Sequence, residues 1–160
     1  MQRRSFLRAA GAMPLLAGAV PAAHAHHGWS SFDQERPLYL EGRAANVRWA
    51  NPHAEIELDV AAEPSLPADL KQRALPAQTA QVDGAALLAR AQWPARRDRR
   101  WTIELAPLRR LQAWRLEEIA PGMSLSVVGY THSGERGDAV LRAEYLFVGG
   151  KAYGLRSSPA

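Results

Sequence analysis

The side chains best suited to chemistry in this sequence are nitrogen donors. His26 and His27 stand side by side, and His53 closes the tripeptide Asn51-Pro52-His53. If processing makes His26 the first residue, its α-amine and its own imidazole form a chelate. That amine, with a reference pKa of about 8, is readily deprotonated by a bound metal. A further imidazole from His27 or His53 completes a nitrogen-rich set that suits copper first, and zinc or nickel second. Asn51 and Pro52 read as a structural turn, because proline fixes its own φ and restricts the residue before it. His53 is then either a ligand or a pocket filler bonded to a neighbour. His132, in the polar loop Thr131-His132-Ser133-Gly134, is expected to be exposed and idle. Asp33 either accepts from an imidazole or is solvated.

Enzymatic arrangements are weakly represented. The chain lacks Gly-x-Ser-x-Gly, a phosphate-binding loop, a dinucleotide fingerprint and the His-Glu-x-x-His of zinc proteases. It has no cysteine, which removes disulfides, thiolate metal sites and thiol nucleophiles together. Glu55, Glu57 and Glu104 alternate along strand-like segments, as a solvated face does. Trp29, Phe32, Trp49, Trp101 and Trp114 are expected as core or staple residues.

Whether His26 is a terminus depends on the segment before it. Met1-Gln-Arg-Arg-Ser-Phe-Leu-Arg8 precedes an apolar stretch from Ala9 to Val20, and Ala23-His24-Ala25 offers small residues for cleavage. Residues 1–25 are therefore expected to be a signal peptide, with Arg3-Arg4 and the following Phe6-Leu7 fitting the twin-arginine route to the periplasm. Cleavage after Ala23 instead would start the protein at His24-Ala25-His26, a different amino-terminal copper motif. Loss of Arg3, Arg4 and Arg8 takes the 20 Lys+Arg to 17 against an unchanged 16 Asp+Glu, so the net charge falls from +4 to +1. A near-neutral domain argues against a nucleic-acid partner. No later window offers the roughly 20 apolar residues of a membrane span.

The elements that must position these residues follow from periodicity. Residues 38–49 and 54–60 alternate as two strands around the Asn-Pro-His turn, with Gly42 at a bulge or sharp bend. Residues 101–105 form a third strand, 107–118 a helix, and 124–130, 139–148 and 152–155 further strands. Between them, 61–100 loses its pattern except for a short amphipathic helix within 82–91, and is expected to be an inserted mobile loop. Its run Arg96-Arg97-Asp98-Arg99-Arg100 reads as a solvated loop end, or else as an anion site. Three strands, a helix and two strands give the order of an OB-fold. The expected fold is thus mainly β: a small five-stranded barrel with a helix between strands 3 and 4, in a single domain spanning 26–160.

Ala25-His26-His27-Gly28-Trp29, the strand led by Gly42, Trp49-Ala50-Asn51-Pro52-His53, and Pro121-Gly122 before a strand together resemble a family of uncharacterised bacterial periplasmic proteins. Ala44, where a β-branched residue is expected, and the long loop after Val60 depart from that pattern. The resemblance implies an OB-like module and supplies no reaction. Two functional readings follow: a periplasmic binding protein that holds copper through His26, His27 and His53, or a metal-free envelope module that meets an unknown protein partner.

Overall fold

The computed structural model describes residues 28–61 and 65–160. Among them, β1 (Leu38–Arg48) pairs antiparallel with both β2 (Glu55–Val60) and β4 (Ser124–Tyr130). β2 pairs with β3 (Arg100–Glu104), and β4 with β5 (Val140–Val148). A parallel pairing of β3 with β5, Thr102 opposite Val140, closes the ring. This circuit of five strands, with helix α2 (Leu108–Ala113) between β3 and β4, is OB-fold-like, as the sequence led us to expect. A sixth strand, β6 (Lys151–Gly154), extends the sheet beyond β5.

Closure bends β1 where it passes from one partner to the other. A Cβ on Gly42 would lie 2.0 Å from the Asp59 carbonyl oxygen, so no side chain fits where the strands draw together. The pairing with β2 then slips between Ala44 and Asn46. A second irregularity sits in β5: Val128 faces Tyr145 but Gly129 faces Ala143, leaving Glu144 as the extra residue. Such a bulge reverses the side-chain alternation. Leu141 and Ala143 point into the barrel before it, and Leu146 and Val148 after it.

Leu38, Leu40, Ile56, Leu58, Trp101, Ile103 and Val127 fill the barrel, and α2 closes one end with Leu111. The sequence places this helix at 107–118, but it stops at Ala113. Arg115 adopts φ 51, Arg115 N–H donates to the Gln112 carbonyl, and Leu116 N–H donates to that of Leu111. This is a Schellman ending with arginine in the position glycine usually takes, and the Leu111 and Leu116 side chains are both buried beneath it.

The stretch read as an inserted loop is built structure over its described part. It holds a 3-10 turn at Leu70–Gln72 and helix α1 (Gly84–Arg90), capped by the Asp83 carboxylate accepting from Ala86 N–H at 2.9 Å. Leu70, Leu87, Leu88 and Ala91 pack on Tyr39, Val128, Tyr130 and Tyr145 from the outer face of the barrel, forming a second core. Burying each leucine contributes about 2 kcal/mol, which holds a segment that lacks long regular elements. No helix among the described residues is long and apolar enough to cross a membrane.

This second core sets an alkaline limit. Burial, with the neighbouring Glu41, pushes the Tyr39 phenol up to about 12; burial, with the negative field of Glu144, does the same for Tyr130. A folded-state pKa above the unfolded value means stability that is intact below the reference value of 10.0 and lost as pH climbs from there to about 12. Phenolate absorbance followed against pH is expected to rise late, together with loss of the circular dichroism signal. A full set of phenols ionising near pH 10 in a folded protein would contradict the packing.

Candidate functional site

Two places bear on the predicted histidine site. The first is the β1–β2 turn. Asn51 Oδ1 accepts from Leu108 N–H at 3.2 Å at the start of α2, Ala54 N–H donates to the Ala106 carbonyl, and Leu105 N–H donates to the Ala54 carbonyl. The Asn51–Pro52 peptide is cis. The three hydrogen bonds tie the turn to the β3–α2 connection, and His53 is half-buried within it.

The second place is where the described chain begins, directly after His26 and His27, which themselves lie outside the described residues. Residues Trp29–Ser31 make a 3-10 turn whose Trp29 side chain docks on the barrel. The Trp29 ring has the Arg156 guanidinium 4.0 Å from its centre and that of Arg142 at 5.5 Å, and meets Tyr130 edge-on. Phe32 is buried, stacks on the His132 ring at 4.9 Å, and also lies under Arg142. His132 Nδ1 lies 3.1 Å from the Ser31 carbonyl oxygen, and Asp33 N–H donates to the Thr131 carbonyl at 2.9 Å. His132 is therefore not the idle loop residue its polar context suggested: it holds the amino-terminal turn. The Asp33 carboxylate accepts from Glu35 N–H, a local turn contact.

Both guanidiniums over Trp29 are anchored by carboxylates. Arg142 donates to Glu104 Oε2 from two nitrogens, at 2.9 and 2.5 Å. Arg156 donates to Glu144 Oε2 at 2.7 and 2.6 Å. Glu144 is completely buried and also accepts from Gln78 Nε2 at 3.4 Å; burial pushes its carboxyl up, against the pull of Arg156. Sequence alone does not reveal these two pairs, since the alternation of Glu104 with Glu55 and Glu57 reads as a solvated face. The available signal was Arg142 and Glu144 standing inside the apolar run of β5, where charges are retained only if partnered.

The β2–β3 pairing brings one member of that network into register with the strand that follows the turn. Arg142, over Trp29, bonds Glu104, and Glu104 sits opposite Glu55, two residues after His53. Among the described residues, no three His, Asp or Glu are gathered as a metal-binding group.

On the outer face of β2 and β3, where OB-folds carry oligonucleotides and oligosaccharides, the side chains pair with one another. Arg48 bonds Glu55, Asn46 bonds Glu57, and Arg100 holds Asp59 at 2.7 and 3.1 Å. A polyanion would meet three carboxylates there.

No curated protein and no solved structure matches the chain. Residues 13–70, a stretch that contains His26, His27, the Asn51-Pro52-His53 turn and the first two strands, match a family of unknown function, DUF6152.

Proposed function

We propose that the chain is a precursor exported by the twin-arginine route, that residues 1–25 are removed in the periplasm, and that the remaining domain binds a copper ion through His26, His27 and His53. The observation that supports this reading most is the docking of the turn at Trp29–Ser31, with two ion-paired arginines over the indole and His132 against Ser31. An amino terminus at His26 would lie three residues from Trp29. Each residue spans at most about 3.5 Å, so the amine and both imidazoles would be confined near the clamp rather than trailing in solvent. Confinement lowers the ordering cost of a chelate made by a chain end. In this reading His53 supplies the third imidazole, from the turn that precedes Glu55, the register partner of the Glu104 that Arg142 bonds. The domain binds or carries the ion and catalyses no reaction.

Mass spectrometry of the protein recovered from periplasm tests the reading in one measurement. The denatured mass is expected to correspond to residues 26–160, and the native mass from copper-supplied cells to that chain with one ion. A chain beginning elsewhere, with no metal in the native spectrum, would leave the metal-free interaction module in its place.

A further inference from the structure

The run Arg96-Arg97-Asp98-Arg99-Arg100 borders a cavity of about 530 Å³ whose walls include Leu40, Val60, Trp93 and Trp101. We propose that this cavity binds a small aromatic carboxylate, its ring against Trp93 and its anionic group at Arg97 and Arg99. The volume lies within the roughly 300–1,000 Å³ range of small-ligand sites, and the site combines apolar walls with a few charged groups at one edge.

Within the run, three of the five charged side chains already hold one another or neighbouring carboxylates. Arg96 is fully engaged: it bonds Asp98 at 2.5 Å, donates to the Glu135 and Gly137 carbonyls, and lies over the Trp101 ring. Its backbone N–H, with that of Ala95, is taken by the Glu135 carboxylate, so this part of the rim is fixed from below. Arg100 is spent on Asp59 and Glu57 across the β2–β3 face. Among the described residues that line the cavity, Asp98 is the one carboxylate, and Arg96 already holds it. Arg97 and Arg99 remain, exposed, with no ion pair to either among the described residues; Arg99 contributes only a weaker pull on Asp59, which Arg100 holds directly. Two guanidiniums beside an apolar recess call for an anion attached to an apolar body, since a guanidinium pairs with a carboxylate through parallel N–H donors. Trp93 is half-buried and lines the recess, and an aromatic wall favours a planar body over an alkyl chain.

The test uses 1-naphthoate, with the uncharged 1-naphthamide as its shape control, titrated calorimetrically into the purified protein. Naphthoate is expected to bind saturably and about tenfold more tightly than the amide, the gain expected of a charge-assisted pair at a partly exposed rim. Arg97→Ala with Arg99→Ala should reduce naphthoate to the affinity of the amide with an unchanged melting curve, because exposed substitutions perturb folding little. Arg109→Ala with Arg136→Ala removes the same charge elsewhere on the surface and should leave naphthoate binding intact. Equal affinities for acid and amide, retention of binding by the Arg97/Arg99 variant, an equal loss in the Arg109/Arg136 variant, or no saturable binding would each overturn the proposal. The result is independent of any metal at the amino terminus, so it stands or falls separately from the copper reading.

Discussion

Replacing Glu144 with alanine is expected to lower stability by about 3 kcal/mol and the melting temperature by on the order of 10 °C. The carboxylate is wholly buried at the β5 bulge, and its partners come from distant parts of the chain: Arg156 from the carboxy-terminal tail and Gln78 from the stretch between β2 and β3. Those parts also bind each other. Gln78 Oε1 accepts from Ser157 N–H, and Thr79 N–H donates to the Ser158 carbonyl. Truncation leaves a void, an unmatched guanidinium under Trp29 and a looser tail. The cost lies at the low end for a broken buried pair because the Arg156 side chain keeps 23% exposure and can turn toward water. Glu144→Gln, similar in shape and still an acceptor, should cost less than half as much. Because burial raises the Glu144 carboxyl above its reference 4.5, the folded state favours the protonated acid. The advantage of wild type over Glu144→Gln should therefore grow as pH falls toward that value and shrink as pH rises through the folded pKa. Denaturant unfolding at several pH values measures both effects. A loss below about 1 kcal/mol for Glu144→Ala would mean that the pair does not join these segments.

That pair also marks where strict alternation misleads. β4 was legible to the residue because Ser124-Leu-Ser-Val-Val-Gly-Tyr130 is bounded by Pro121-Gly122 and a polar loop. In β5 the same rule puts Arg142 and Glu144 on one outward face, whereas the bulge gives them separate environments, and nothing local in Leu141-Arg-Ala-Glu-Tyr145 announces the extra residue. The helix at 107–118 ends earlier than its pattern suggests because its stop is Arg115 in a left-handed conformation, without the glycine that normally signals one.

The described part of 61–100 is hard to read for a different reason. Its own pattern is weak, and what fixes it lies elsewhere: Tyr39, Val128, Tyr130 and Tyr145 on the outward side of strands whose inward side is apolar as well. Strands apolar on both faces require a cover, and that requirement was visible in β4 and β5. The Asn51-Pro52-His53 turn was legible from its proline, although the partner of Asn51, at Leu108, was not. The role of His132 is invisible locally because its contacts are with Ser31 and Phe32, about a hundred positions away, and a sequence carries no register for such a pairing.

A protein beginning at His26 is expected to bind Cu(II) roughly 100-fold more tightly than the same protein carrying one additional amino-terminal glycine. The extension converts the His26 amine into an amide nitrogen, a much poorer donor, and breaks the chelate while leaving every imidazole in place. That loss should match or exceed the roughly 10- to 100-fold that removing an outer-sphere partner costs a metal site. His53→Ala should also weaken binding, since on this reading it removes a ligand. Trp29→Ala keeps all the donors but releases the turn from Arg142 and Arg156, so its smaller loss measures what docking contributes. His132→Ala falls in the same class, acting through Ser31 and Phe32 rather than on the ion. Binding should weaken as pH falls through the imidazole range of about 6.5, because protons compete for the same nitrogens. Copper should raise the melting temperature of the His26-start protein more than that of the extended one, by preferential binding to the folded state. Calorimetric titration of this series separates ligand from support. Equal, weak affinities for the His26-start, glycine-extended and His53→Ala proteins would remove the metal site from the account, whereas a large loss confined to the extended protein would keep the terminal chelate and exclude His53 from it.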